Sequence, residues 1–236
     1  VVFGKANGFD AAMDLSGLDG NNGFRLDGEA AGDRSGFSVS NAGDVNSDGF
    51  DDLIIGAYGA DPNGFGSGSS YVVFGKASGF DAAMALSSLD GSNGFRLDGV
   101  EEDDFSGASV SNAGDVNGDG FDDVIIGGRD GDGYAHYGPR YVVFGEAAPF
   151  DATLDLASLD GNNGFRVGAG DQASPSVSSA GDVNGDGFDD LIVGSNRYSD
   201  NSSSSHVVFG KVSGFSATLN LSSLDGSNGV RLDVEG

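Results

Sequence analysis

Short runs that alternate apolar and polar residues recur along this chain, each leading into a turn rich in Asp, Gly and Asn. Phe37-Ser38-Val39-Ser40 has the period of two expected of a half-buried strand and runs into the loop Asp44–Asp52. Beyond that loop, Leu53-Ile54-Ile55 is apolar on consecutive positions and stops at Gly56. Such a run suits a strand covered on both faces by neighbouring layers. Tyr71-Val72-Val73-Phe74 predicts a third strand, and Gly94-Phe95-Arg96-Leu97 a fourth.

These elements are copies. The string VVFG recurs at Val1, Val72, Val142 and Val207, at intervals of 71, 70 and 65 residues. The motif GDVN(S/G)DGFDD begins at Gly43, Gly114 and Gly181, and SLDG or GLDG followed by Gly-Phe-Arg or Gly-Val-Arg occurs four times. The chain reads as a single repeat array of one half unit, 1–36, and three full units, 37–106, 107–173 and 174–236. Four short strands in a unit of about 70 residues describe a β-propeller blade rather than a solenoid coil. The expectation is an all-β fold of four-stranded antiparallel blades, about three and a half of them. An open array would expose sheet edges that invite pairing, so the remainder of a longer chain or homo-oligomerisation should close it. Of the 17 Phe residues, 14 are locked to the repeat, among them Phe9, Phe24, Phe50, Phe80 and Phe95, and are expected in the core between blades.

The loops carry the chemistry. Counted from Asp44, oxygen-bearing side chains fall at positions one, three, five and nine: Asp44, Asn46, Asp48 and Asp52. A chain wrapping a hard cation turns alternate side chains inward, and Gly49 permits the sharp bend. Phe50, at position seven, can offer its backbone carbonyl while its ring turns to the core. The equivalents are Asp115, Asn117, Asp119, Phe121 and Asp123, then Asp182, Asn184, Asp186, Phe188 and Asp190. An all-oxygen set of this size suits Ca²⁺ better than Mg²⁺, which demands a tight octahedron and retains several waters. An EF-hand is excluded, because its twelfth position requires a bidentate Glu and Ile55, Ile126 and Val193 stand there. Three structural Ca²⁺ sites are expected, with Asp51, Asp122 and Asp189 adding field or holding the loop.

Composition narrows the partners. Thirty-seven acidic residues against 11 basic ones give a net charge of −26, which repels nucleic acid and anionic membrane faces. With no Cys, neither disulfides nor thiolate metal sites exist. No apolar run is long enough to cross a membrane, so no membrane insertion is expected. The strand-like opening Val1–Gly4, without an initiator Met or a signal-peptide pattern, suggests a segment of something longer.

The segment from Phe37 to Ala57, with Gly43-Asp44-Val45-Asn46-Ser47-Asp48-Gly49-Phe50-Asp51-Asp52 at its centre, resembles the FG-GAP repeat of integrin α-subunit propellers. The resemblance covers the whole chain. It implies a seven-bladed propeller, calcium in hairpin loops on the lower face, and an extracellular or cell-surface location. It also implies adhesion or assembly through a protein or glycan ligand. The Gly-Ala-Pro of the family departs to Gly56-Ala57-Tyr58, Gly127-Gly128-Arg129 and Gly194-Ser195-Asn196. A lectin-like reading is the alternative, resting on Asp130, Asp132, Tyr134, His136 and Tyr137, where the second unit departs from the others. A non-catalytic part of a secreted enzyme is a third reading. No catalytic residue is assigned: His136 and His206 lack triad or metal-ligand spacing, and the repeated acids are needed as ligands.

Overall fold

The computed structural model describes residues 1–129, 138–168, 176–197, 202–212 and 214–233, with backbone alone at 195–197 and 202–203. Its regular structure is β-sheet punctuated by four single-turn 3₁₀ segments. The first full blade is an antiparallel meander of β2 (Ser38–Gly43), β3 (Asp52–Ala57), β4 (Ser69–Val73) and β6 (Gly94–Asp98). The second is built from β7 (Ser109–Gly114), β8 (Asp123–Gly127), β9 (Arg140–Val143) and β11 (Gly164–Gly168). The third is built from β12 (Val177–Gly181), β13 (Asp190–Arg197), β14 (Ser202–Val208) and β16 (Gly229–Asp233). Ahead of them lie β1 (Arg25–Asp27) and a bridge between Val2 and Gly23. The architecture is the expected all-β propeller arrangement, drawn as an open array.

One element escaped the hydropathy pattern. Between its third and fourth strands each unit sends out three residues that pair, in parallel, with the outermost strand of the preceding blade. β5 (Ala83–Ala85) pairs with β1, β10 (Thr153–Asp155) with β6, and β15 (Thr218–Asn220) with β11. The first two full blades thus hold five strands, the fifth lent by the following unit. Three residues are too few to show a period, and their exposed-intermediate-exposed burial leaves little apolar signal.

Blades adhere through faces that the strand alternation supplies. From the second blade, Val124, Ile126, Tyr141 and Val143 join Ile54, Val72 and Leu97 of the first in one cluster. Ile125, Val142 and Val167 join Leu191, Val193 and Val208 of the third in another. The continuous apolar run of β8 is therefore buried on both faces, as its sequence requires. Just ahead of each parallel strand, a phenylalanine stacks on one in the preceding blade: Phe80 on Phe24 at 4.1 Å, Phe150 on Phe95 at 4.7 Å, and Phe215 on Phe165 at 4.6 Å. Full burial of such a ring contributes roughly 1.5–3 kcal/mol.

Two phenylalanines assigned to the core are not in it. Phe9 is 56% exposed and Phe50 41% exposed. Both are the first copies of their positions: Phe9 belongs to the half unit, and the half unit ahead of Phe50 carries no Asp loop, whereas the later copy Phe188 lies over Gly118 of the loop before it. The same holds for Val39, 65% exposed, whose counterparts Val110 and Val177 are buried against the blade before.

Candidate functional site

The hairpin joining β2 to β3 begins with a bulge between Asn41 and Gly43, where the Asn41 side-chain oxygen accepts the Gly43 N–H. Gly43 has φ 74°, and a Cβ there would lie 2.2 Å from the Asp122 carboxylate, so only glycine fits. The chain then folds over Asp44. Its Oδ1 accepts the Asp48 N–H at 3.0 Å and its Oδ2 the Gly49 N–H at 2.8 Å. Asn46 Oδ1 accepts the Asp48 N–H at 2.9 Å, Asp48 Oδ1 accepts the Phe50 N–H at 3.0 Å, and Asn46 Nδ2 donates to Asp48 Oδ2 at 3.2 Å.

The second and third loops repeat this network. Asp115 accepts from Asp119 and Gly120, Asn117 and Asp119 are bonded at 2.8 Å, and Asp119 accepts from Phe121. Asp182 accepts from Asp186 and Gly187, Asn184 and Asp186 are bonded at 2.8 Å, and Asp186 accepts from Phe188. The structure thus brings the side chains at positions one, three and five together in all three loops. The carbonyls of Phe50, Phe121 and Phe188 accept no hydrogen bond among the described residues.

Position nine plays a part that the spacing did not reveal. Asp52, Asp123 and Asp190 are fully buried. Asp52 Oδ2 accepts the Val45 N–H at 3.0 Å inside its own loop, and Oδ1 accepts the Gly75 N–H at 2.8 Å just beyond β4. Asp123 does the same with Val116 and Gly145, and Asp190 with Val183 and Gly210. Each carboxylate therefore bolts its loop to the glycine of the next VVFG string. The signal was present as the fixed partnership of the two motifs.

Burial, with the nearby Asp48 and Asp44 charges adding, pushes the Asp52 carboxyl up to about 7 against the two amides that lower it. Asp123 is pushed up to about 8, again by burial first, with Asp119 and Asp115 adding. No ion pair among the described residues reaches Asp52, Asp123 or Asp190. A buried carboxylate beside two others, without a basic partner, calls for a cation or a proton.

Among the described residues no three acidic or imidazole side chains converge tightly enough to hold an ion as they stand. The reason lies in the bonds above: with backbone amides and the Asn amide as their only donors, the carboxylates turn onto the loop itself. The donor set nonetheless fits a hard cation. Every candidate atom is oxygen, each position-nine oxygen uses one lone pair on an amide, and the position-seven carbonyls accept no bond from the described residues.

Adjacent loops touch. Asp122 Oδ2 accepts the Asp44 N–H at 2.8 Å, and the Asp122 N–H donates to the Asp44 carbonyl at 3.2 Å. Asp189 holds Asp115 in the same way, at 3.0 and 3.2 Å. The Phe188 ring covers Gly118, where a Cβ would meet it at 2.3 Å. Asp51, the first copy, has a 3.4 Å contact with Asn41 in its place.

The loop residues Asp130, Asp132, Tyr134, His136 and Tyr137 lie outside the described residues. His206 is buried in β14, away from the Asp loops in sequence and pairing.

Known proteins share this pattern. The FG-GAP repeat model matches residues 35–73 and 174–208. Integrin alpha-5 of Xenopus laevis is 32% identical over 188 residues, 76% of this chain, which spans 16% of that protein's length. Motif, blade architecture and similarity agree, and the chain is an FG-GAP repeat array of the integrin-like β-propeller type.

Proposed function

We propose that this chain is a calcium-stabilised, extracellular propeller module serving adhesion or protein–protein assembly, organised as a half unit, 1–36, and the units 37–106, 107–173 and 174–236. The observation that carries the calcium reading is the buried carboxylate at position nine, present in three copies without a basic partner among the described residues and, at Asp52 and Asp123, set beside two further carboxylates. Each ion would be held by the side chains at positions one, three, five and nine and the carbonyl at position seven. Those are Asp44, Asn46, Asp48, Asp52 and Phe50 in the first loop, and their equivalents in the others. The ion would supply positive charge at the point where β2 meets β3 and the post-β4 glycine, so its role is structural.

Extracellular calcium is high enough for sites of about 10⁻⁴–10⁻³ M affinity to fill. The similarity to an integrin α subunit supports a surface role with a protein ligand. A non-catalytic character follows from the same accounting, because the repeated acids are engaged in loop structure. No described helix is long and apolar enough to cross a membrane.

Calorimetric titration with Ca²⁺ should show about three ions per chain, and Asp44→Ala, Asp115→Ala and Asp182→Ala should each remove one. Absence of binding at millimolar calcium would overturn the reading.

A further inference from the structure

The second and third Asp loops are each tied to the one before. The Asp122 carboxylate and amide clamp the backbone of Asp44 from both sides, and Asp189 clamps Asp115 with the same two bonds. Two backbone contacts extend the tie: the Glu146 N–H donates to the Val45 carbonyl at 3.1 Å, and the Lys211 N–H to the Val116 carbonyl at 2.9 Å. The clamp sits where ligand geometry is set. Asp44 is the hub that accepts the Asp48 and Gly49 amides, and Gly43 is left-handed to admit the Asp122 carboxylate. On the other side, Asp122 lies between Phe121 and Asp123, two members of the second loop's donor set.

We infer that Asp122 and Asp189 are positioning residues that couple the three calcium sites, so that filling one loop orders the first ligand of the loop before it. This rests on the calcium reading above. Asp119, the Phe121 carbonyl and Asp123 would be held in place on binding an ion, which would fix the segment carrying Asp122, and Asp122 in turn holds the Asp44 backbone through its two hydrogen bonds. Linkage makes the effect mutual, so calcium uptake by neighbouring loops is cooperative. Asp51 is a built-in control, since it occupies the same motif position and clasps no preceding loop.

The test uses the amide resonances of Gly49, Gly120 and Gly187 during calcium titration of the 236-residue chain, each N–H being bonded to the first carboxylate of its own loop. In Asp122→Ala the Gly49 midpoint should rise roughly fivefold or more, the lower range of ordinary coupling. Gly187 should stay in place. Asp189→Ala should move Gly120 in the same way, and Asp51→Ala should leave Gly120 and Gly187 unmoved. Asp122→Asn keeps an oxygen acceptor while losing the charge, preserves the fold if alanine does not, and should retain most of the Gly49 affinity. Coupling is overturned if Asp122→Ala moves Gly120 alone, and the hydrogen bond is overturned as its agent if Asn and Ala shift Gly49 equally. If none of the three glycines responds to calcium in the parent chain, the calcium reading itself falls and the coupling with it.

Discussion

Each full repeat carries two aspartate turns, and they solve opposite problems. In the SLDG turn, Asp90 accepts the Ser92 N–H at 2.9 Å and the Ser92 hydroxyl at 2.7 Å, while its own N–H donates to Asn93 Oδ1. All of this is local and in water. The Ser92 side chain, then its amide, hold the Asp90 carboxyl below the usual range, and Asp225 with Ser227 repeats the arrangement. In the DVN loop, Asp52 and Asp123 reach across to another strand, are buried, and are pushed upward instead. The same side chain is stabilised as an anion where donors and solvent surround it, and strained as one where burial and like charges do. The lesson is that acidity alone marks nothing; the buried, cross-strand aspartate marks the candidate site.

The largest effect should come from removing calcium. At a hundredfold excess over Kd each site adds about 2.7 kcal/mol to stability. EDTA should therefore lower the melting temperature by roughly 10 °C or more, at about 2–4 °C per kcal/mol for a domain of this size. Asp90→Ala should leave that EDTA-dependent difference intact, because its turn lies outside the proposed calcium loops. Equal melting with and without EDTA would erase the distinction between the two turns.

Next in size is Asp123→Ala in saturating calcium. It strips the Val116 and Gly145 amides of their buried acceptor, at about 1–3 kcal/mol each. Circular dichroism melts should show a loss of roughly 5–15 °C, against a far smaller change for Asp90→Ala, whose amides water can serve.

A pH series in EDTA sets the two turns in opposition. The Asp52 and Asp123 carboxyls are raised from 3.8, so their contribution is whole below that value and drains away as pH climbs through about 7 and about 8. The turn carboxyls are lowered, so theirs is present at neutral pH and lost on acidification, and full exposure screens it. The melting temperature without calcium should accordingly fall between about pH 5 and pH 8, and Asp123→Asn should flatten the slope. A rise over that interval would show that the buried carboxylates are not the strained ones.

What the sequence made legible was whatever repeats with a period. The strands β2, β3, β4 and β6 lie where alternation and the runs Leu53–Ile55 and Tyr71–Phe74 placed them, since burial on one or two faces writes itself into hydropathy. The three-residue strands β5, β10 and β15 stayed hidden, because backbone pairing selects no side chain. The Asp loops were readable as oxygen-rich turns, but the bond from Asp52 to Gly75 joins residues 23 apart and the Asp122–Asp44 bond spans 78. Neither is visible to a spacing rule. Phe9 and Phe50 were misplaced for a related reason: repeat position says what a ring does between two complete blades, and Phe9 lies in the half unit while Phe50 follows it.

The smallest effect lies inside the DVN class itself. Position four is Gly118 and Gly185 in the later loops, with φ of 74° and 76°, but Ser47 in the first, held at φ 56°. A left-handed backbone costs a residue with a Cβ about 1–2 kcal/mol that glycine avoids. The glycines also donate to the first carboxylate, Gly118 to Asp115 Oδ1 and Gly185 to Asp182 Oδ1, both at 2.7 Å. Ser47→Gly should relieve the strain and let that donor form, while the unfolded chain gains entropy that offsets part of the benefit. The net should be a stabilisation of about 0.5 kcal/mol, read as a rise of roughly 1–2 °C in the calcium-bound melt. If the first loop instead loses stability, its serine is contributing through a contact that the two later loops do without, and the three loops are not one class.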